Sequence, residues 1–332
     1  MDRRRFLLTS LAGGLATPLS AGAQQAVTRV PTVGVLHPGL SGIPGTIRSN
    51  DAFERGLREA GWIPGQTIRV EYRYAEGRIE RLDKLAGDLV SLGVDVIVAR
   101  ATSSILAAKK ATTTTPIVMS AAGHDPVELG LVASLARPGG NVTGLTLLNQ
   151  DLYVKHLEVL KELVPKLSKV AVLGSQDIPL SPNGRQALEA GARILGLHLE
   201  HIDVRNAEDL GRAFSQLTRG RAGGLLVRAD PSVLEPNYKR VLALVETHRL
   251  PAIYWLSIYA EAGGLISYGA DLIEVHRQSA SYVTRLLRSA QPSDLPIEEP
   301  TRFSLIINLK TAKALGLTIP PSLLVRADQV IE

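Results

Sequence analysis

The chain has 332 residues, of which 45% are hydrophobic and 21% charged, and its formal net charge is +5. This composition is ordinary for a globular protein and the length suffices for two domains, while a small basic excess without a basic run predicts no nucleic-acid partner. The chain contains no cysteine, which excludes disulfides, cysteine–metal sites, thiol nucleophiles and a lipid-modified cysteine anchor.

Residues 1–23 have the pattern of an export signal peptide. Arg3-Arg4-Arg5 precede an apolar segment, Phe6 to Leu19, that is too short to span a bilayer, and Ala21-Gly22-Ala23 supplies the small residues that a signal peptidase requires. The order Arg-Arg-x-Phe-Leu is typical of twin-arginine (Tat) leaders, although Asp2 stands where serine or threonine is usual. The alternative is an ordinary Sec leader with an additional arginine. Both routes predict a periplasmic protein.

Strand and helix patterns alternate through the first half of the chain. Short runs of β-branched and other apolar residues predict buried strands at Thr32–Leu36, Thr67–Tyr74, Val94–Ala99, Ile117–Met119 and Val142–Leu145. Helices are predicted at Ser49–Ala60, Ile79–Leu92, Ser103–Ala111 and about Pro126–Ala136, and Gly61 and Gly93 are expected to end the first two.

The second half repeats this alternation. Strands are predicted at Lys169–Leu173, His198–Val204, Gly223–Val227, Pro251–Tyr254, Gly264–Tyr268 and Thr301–Asn308. Helices are predicted at Gly184–Leu195, Ala207–Leu217, Leu272–Ser289 and Leu309–Leu315. Residues 70–101 and 200–230 share one layout of strand, Ala-Glu turn, helix, glycine and strand. The repeat predicts an α/β fold with two similar parallel-sheet domains and right-handed crossovers.

Several sequence blocks resemble the ABC-transporter substrate-binding family that includes tryptophan/tyrosine transport components. The most specific block is the tail PTRFSLIINLKTAKALGLTIPPSLLVRADQVIE, from Pro300 to Glu332. SLARPGGNVTGLT at 134–146, EAGGLISYGADL at 261–272, GLREAGWIPGQ and EYRYAEG extend the similarity over the whole chain after the leader.

The resemblance implies a type I periplasmic-binding fold, in which two Rossmann-like (flavodoxin-like) lobes with parallel central sheets are joined by crossover hinge segments. The implied N-terminal lobe is 30–147 plus 266–297, and the C-terminal lobe is 148–265 plus 298–332. The implied function is that of a periplasmic solute-binding protein, which captures a small molecule between the lobes and delivers it to the permease of an ABC importer. The implied ligand is an amino acid or related carboxylate with an aromatic or branched side chain. We expect a monomer.

Candidate ligand-binding residues come from the loops that follow the strands. Ligands of open α/β sheets bind beyond the carboxyl ends of strands, beside helix N-termini. The residues at such positions are His37, Thr102, Ser103, Asp125, Ser175, Gln176, Asn183, Asp230, Tyr254 and Trp255. Thr102 or Ser103 is expected to cap the next helix, whose N–H groups can bind a carboxylate. Asp125 can accept an ammonium group or only cap a helix, and Trp255 can stack on a ligand or pack in the core.

Motifs for nucleotide binding and for catalysis are absent from the sequence. It contains no P-loop, no G-x-G-x-x-G that opens a helix and no G-x-S-x-G elbow. His198 and His201 lie close together, but no acidic residue gives them metal-ligand spacing. We therefore expect no enzymatic activity, catalytic residue, metal or cofactor. Because catalytic groups can converge from distant loops, two alternatives remain open: an exported α/β hydrolase or isomerase that uses the same cleft, and a ligand-sensing module for a membrane receptor.

Overall fold

The computed structural model describes residues 29–147, 150–176 and 179–332. The predicted signal peptide, 1–23, lies outside the described residues. Among those described, no helix has the length and apolar character needed to cross a membrane.

The first sheet has five parallel strands, in the order β2-β1-β3-β4-β5. They are β1 Thr32–His37, β2 Arg69–Tyr74, β3 Val96–Arg100, β4 Ile117–Ala122 and β5 Val142–Thr146. Three helices belong to the crossovers between these strands: α1 Pro44–Glu59, α2 Leu82–Ser91 and α3 Ala101–Ala111. In β3, Val96 and Val98 pack on one face of the sheet, whereas Ile97 and Ala99 pack on the other. Burial on both faces explains why Val96 to Ala99 form an uninterrupted apolar run.

The second sheet has seven strands, in the order β12-β11-β10-β9-β8-β6-β7. They are β6 Lys169–Ser175, β7 His198–Val204, β8 Gly224–Val227, β9 Ala252–Tyr254, β10 Ile266–Ala270, β11 Phe303–Asn308 and β12 Gln329–Ile331. Only the β10–β11 pair is antiparallel. The remaining helices are α4 Gln150–Leu163, α5 Pro182–Ile194, α6 Asp209–Arg219, α7 Tyr238–Thr247, α8 Ser257–Glu261, α9 Leu272–Leu287, α10 Leu309–Leu315 and α11 Pro321–Arg326. We call the five-stranded sheet with its helices the first lobe and the seven-stranded sheet with its helices the second lobe.

Helix α9 returns from the second sheet and packs on the first lobe. Its Val275 and Val283 join Phe53 of α1 in one buried cluster. An added Cβ at Gly56 of α1 would lie 2.4 Å from the carbonyl oxygen of Arg277, so the two helix backbones approach closely there. The chain crosses between β10 and α9, after Ala270, whereas the predicted boundary lies before Ile266. The domain limits otherwise stay a prediction.

The helix predicted at about Pro126–Ala136 is wrong. Only one turn forms there, in which the Leu131 N–H donates to the Pro126 carbonyl at 2.9 Å. Gly130 then adopts a φ of +65°, a left-handed conformation that ends the turn. The segment continues without regular structure as far as β5.

Candidate ligand-binding site

A cavity of about 800 Å³ lies between the two lobes. It is lined by the residues that follow β1, β3 and β4 of the first sheet and those that follow β8 and β9 of the second. The crossing from β10 to α9 contributes Gly269 to Ile273 to its wall. The carboxyl ends of both parallel sheets therefore face one shared space, as expected for a ligand site in α/β proteins.

Contacts between the lobes bracket this cavity. An ion pair joins Arg48 of α1 to Glu261 of α8 at 2.8 Å. His124, which follows β4, places its Nε2 atom 2.8 Å from the Pro179 carbonyl oxygen of the second lobe. Asn183 of α5 also donates to the carboxylate of Glu128. With contacts at several points along the cleft, the structure corresponds to a closed arrangement of the lobes.

Arg100 is the cation of the first-lobe wall. Its side chain is 2% exposed, and its guanidinium donates to Asn50 Oδ1 at 2.8 Å and to the Ser49 carbonyl at 3.3 Å. Both partners are neutral, and the Nε atom has no partner in the part of the chain that the structure describes. Burial lowers the pKa of Arg100 to about 10, which leaves it charged at neutral pH. A buried cation without a carboxylate partner suits an anionic group of a ligand.

The amino end of α3 lies beside Arg100. The helix starts directly after β3, and Ala101 has a φ of +60°. This abrupt start contradicts the prediction that Thr102 or Ser103 caps the helix, because both side chains already lie inside it. The Ser103 hydroxyl is buried and has no hydrogen-bond partner within residues 29–147, 150–176 and 179–332. Together with the N–H groups of the first turn, it adds hydrogen-bond donors next to the arginine.

The Thr102 hydroxyl is engaged within the protein. Its Oγ1 atom accepts from the Gly123 N–H at 3.1 Å and lies 3.2 Å from Nδ1 of His124. Since His124 Nε2 faces a carbonyl, that nitrogen carries the proton, and in the neutral ring Nδ1 accepts from the Thr102 hydroxyl. Thr102 therefore positions the histidine that touches the second lobe, and its hydroxyl proton is not available to a ligand.

His37 adds a neutral donor to the same wall. Its Nδ1 atom accepts from the Gly39 N–H at 2.9 Å, so the proton of the neutral ring is on Nε2. Burial, together with the nearby charge of Arg100, lowers the pKa of His37 to about 3. The ring therefore stays uncharged at neutral pH. His276 of α9, whose Nδ1 atom lies 2.7 Å from Ser120 Oγ, also lines the cavity with its pKa lowered by burial.

Asp230 is the anion of the second-lobe wall. Its Oδ1 atom accepts from the N–H groups of Ser232, Val233 and Leu234 and from the Ser232 hydroxyl, at 2.7 to 3.3 Å. The side chain is 2% exposed, and its Oδ2 atom is buried without a hydrogen-bond partner among the described residues. One oxygen thus fixes the carboxylate of this cavity-lining residue, and the other keeps its capacity to accept a hydrogen bond.

Aromatic rings cover the neighbouring part of the second-lobe wall. Trp255 follows β9, is 8% exposed and lines the cavity together with Tyr153 of α4. The Trp255 ring centroid lies 5.2 Å from that of Tyr153 and 4.9 Å from that of His156. Tyr254 points the other way and is fully buried, where its ring stacks on Tyr259 at 4.7 Å. Of the two predicted aromatic residues, the structure therefore places only Trp255 at the cavity.

Besides Tyr254, four of the predicted site residues lie outside the cavity wall. Asp125 caps a turn by accepting from the Val127 N–H at 2.8 Å, and Asn183 makes the interlobe contact described above. Ser175 is buried, with its hydroxyl 3.3 Å from that of Ser232. Gln176 is exposed and accepts from Arg205 Nε at 3.1 Å. The geometry gives these side chains no direct place beside a ligand.

Sequence reasoning missed Arg100, Tyr153 and Glu235, all of which line the cavity. The available signal for Arg100 was its position at the end of a predicted buried strand, in IVARATSS. Arginine is rarely buried unless its charge has a partner, so a buried arginine there indicates a functional role. The described residues contain no group of three or more histidine, aspartate or glutamate side chains placed to hold a metal ion.

The fold and site define a class of protein, and the comparisons identify the family. The fold is that of the type I periplasmic binding proteins, in which two α/β lobes enclose a small molecule. Residues 33–331 match the family described as ABC transporter substrate binding protein, and the chain belongs to that family. The family, the fold class and the binding function predicted from the sequence are confirmed.

Known relatives cover most of the chain. A tyrosine-binding protein of Clostridioides difficile (strain R20291) is 28% identical over 284 residues, which are 85% of this chain and 79% of the relative. The crystal structure of an ABC domain in complex with L-Trp, from Streptococcus pneumonia, has a TM-score of 0.83, 26% identity, and coverage of 91% of this chain and 99% of that one. A conserved domain protein from Vibrio cholerae has a TM-score of 0.84 and 26% identity, with coverage of 91% and 100%.

Proposed function

We propose that this substrate-binding protein binds an aromatic α-amino acid, tyrosine or tryptophan, in the cavity between its lobes and releases it chemically unchanged. The observation that carries the proposal is the charge arrangement of the cavity. Arg100 is a buried cation without a carboxylate partner on one lobe, and Asp230 Oδ2 is a buried acceptor without a partner on the other. A zwitterionic amino acid can pair its carboxylate with Arg100 and donate from its ammonium group to Asp230.

Each part of the amino acid has a complementary surface. The carboxylate binds Arg100, the Ser103 hydroxyl and the amino end of α3, and the ammonium group binds Asp230. The ring packs against Trp255 and Tyr153, where aromatic pairs gain about 0.5–1.5 kcal/mol beyond the burial of area. The tyrosine-binding relative and the L-Trp complex support an aromatic side chain.

The cellular role follows from the family and the leader. The protein is exported to the periplasm by a Tat or Sec route, closes on its ligand and presents the closed form to an ABC permease. Ligand contacts made by both lobes favour the closed form over the open one. Ligand binding therefore shifts the protein toward the closed conformation.

Thermal unfolding and calorimetry with four probes test the proposal. L-Tyrosine and L-tryptophan are expected to raise the melting temperature, because a ligand at a hundred times its Kd stabilises the folded state by about 2.7 kcal/mol. Tyramine, which lacks the carboxylate, and 3-(4-hydroxyphenyl)propionate, which lacks the ammonium group, are expected to bind more weakly. Mass spectrometry is expected to recover the ligand unchanged. Neither amino acid binding, or conversion of one of them, overturns the proposal.

A further inference from the structure

The ammonium side of the cavity contains a second carboxyl group. Glu235 lines the cavity five positions after Asp230, and its backbone N–H donates to the Asp230 carbonyl at 2.8 Å. Its side chain is partly buried and has no hydrogen-bond partner within the described part of the chain. Asp230, by contrast, is fixed by four hydrogen bonds to Oδ1. The wall thus has one anchored carboxylate and one carboxyl group that no neighbour satisfies.

The titratable groups named here around Glu235 are uncharged or already paired. Tyr259 of α8 and Tyr254 of β9 are fully buried, have hydroxyls without partners and have pKa values raised by burial, so both are uncharged. On the same loop, Arg228 lies 3.5 Å from Asp203. Across the cavity His37 is neutral, and Arg48 is paired with Glu261. Burial and the charge of Asp230 together raise the pKa of Glu235 to about 7.

We propose that Glu235 is a second carboxyl group of the ammonium pocket, and that an amino acid entering the cavity drives the proton of Glu235 into solvent. The inference rests on the proposed function, since it needs a ligand with an ammonium group. Before binding, at a pH below about 7, the wall holds a carboxylate at Asp230 and in most molecules a carboxylic acid at Glu235. After binding it holds two carboxylates and one ammonium group, and one proton has left for solvent.

The chemistry of a primary ammonium group fits two acceptors. It carries three N–H donors, so it can donate to Asp230 Oδ2 and to a Glu235 oxygen at once. A cation placed against Glu235 favours its ionised form and lowers its pKa. Ligand affinity therefore rises with pH up to about the pKa of the free protein, because less work is then needed to remove the proton.

Calorimetry in two buffers at pH 6.5 measures this proton directly. L-Tyrosine is titrated into the wild-type protein in phosphate and in imidazole, whose heats of ionisation differ, and the difference in binding enthalpy gives the number of protons released. We expect release of about half a proton or more per bound tyrosine, since most of Glu235 is protonated half a unit below a pKa of about 7. Between pH 5.5 and 8 the Kd is expected to fall about 30-fold, because Glu235 with a pKa of about 7 is almost fully protonated at the lower pH and almost fully ionised at the higher.

The control variant is Glu235→Gln, which keeps the shape of the protonated acid and cannot ionise. It is expected to bind tyrosine with no buffer-dependent enthalpy and with a Kd that stays flat over the same pH range. 3-(4-Hydroxyphenyl)propionate, which has no ammonium group, is expected to release no proton from the wild type. Tyrosine binding without proton release overturns this inference and leaves the proposed function standing. Proton release that persists in Glu235→Gln overturns it too, and failure of both aromatic amino acids to bind overturns both proposals.

Discussion

Replacing Asp230 by asparagine isolates the charge that the ammonium site requires. The asparagine Oδ1 can keep the four hydrogen bonds that Ser232, Val233 and Leu234 donate at 2.7 to 3.3 Å. Only the atom at the Oδ2 position changes, from an acceptor that has no partner among the described residues to an NH₂ donor. The loop should therefore keep its conformation, whereas a ligand ammonium group would meet another donor.

The size of the effect follows from the burial of Asp230, which is 2% exposed. Removal of one partner from a buried, hydrogen-bonded charge pair costs about 2–5 kcal/mol. We take about 2.8 kcal/mol, near the lower end, because solvent can reach a ligand at the edge of the cleft. Since about 1.4 kcal/mol corresponds to a factor of ten, the Kd for L-tyrosine is expected to rise about 100-fold.

Calorimetry with two ligands and a matched variant distinguishes this effect from a general loss of structure. The deaminated analogue 3-(4-hydroxyphenyl)propionate should bind Asp230→Asn at least as well as it binds the wild type. Asp83→Asn makes the same charge change elsewhere in the cavity lining, where Asp83 pairs with Lys110, and should leave tyrosine affinity in place. Unchanged tyrosine affinity in Asp230→Asn, with a melting temperature near that of the wild type, would refute the reasoning.

Three further substitutions test other parts of the account. Arg100→Met should weaken tyrosine binding by about tenfold to 100-fold but spare tyramine, measured by calorimetry, because only the carboxylate loses a charge-assisted partner. His124→Ala removes the interlobe contact to Pro179 and should raise the Kd about fivefold, near the value of one hydrogen bond, while His198→Ala at an exposed position should not. Gly56→Ala should destabilise the protein by about 2 kcal/mol in thermal unfolding, because the added Cβ would lie 2.4 Å from a backbone oxygen. Gly87→Ala in α2 should stabilise the protein by about 1 kcal/mol, because an added Cβ there has no atom within 4 Å and alanine favours a helix over glycine. Equal effects from the two histidine variants, or from the two glycine variants, would contradict these expectations.

The parallel strands were the most predictable part of the fold. Central strands such as β3 and β6 are buried on both faces, so each is a short continuous apolar run bounded by turns. Helices α4 and α7 of the second lobe were not predicted from the sequence. The helix assigned at about Pro126–Ala136 failed because helical spacing of apolar residues cannot show that Gly130 adopts a left-handed φ.

The site was predictable in outline, but the roles of individual residues were not. Topology places the loops after β3, β8 and β9 at the cavity, which is why Ser103, Asp230 and Trp255 were identified. The hydrogen bond between Thr102 and His124 could not be predicted from the residues next to Thr102 in the sequence. His124 follows a different strand and lies 22 positions away. Glu235 had no signal, because its significance depends on Asp230 sharing the same cavity wall.

A crystal structure of the protein with L-tyrosine bound tests the central claim most directly. We expect the ligand to span the cavity, with its carboxylate at Arg100 and the amino end of α3, its ammonium group within hydrogen-bond distance of Asp230 Oδ2, and its ring against Trp255. A tyrosine bound in the reverse orientation, or away from Arg100 and Asp230, would contradict the account.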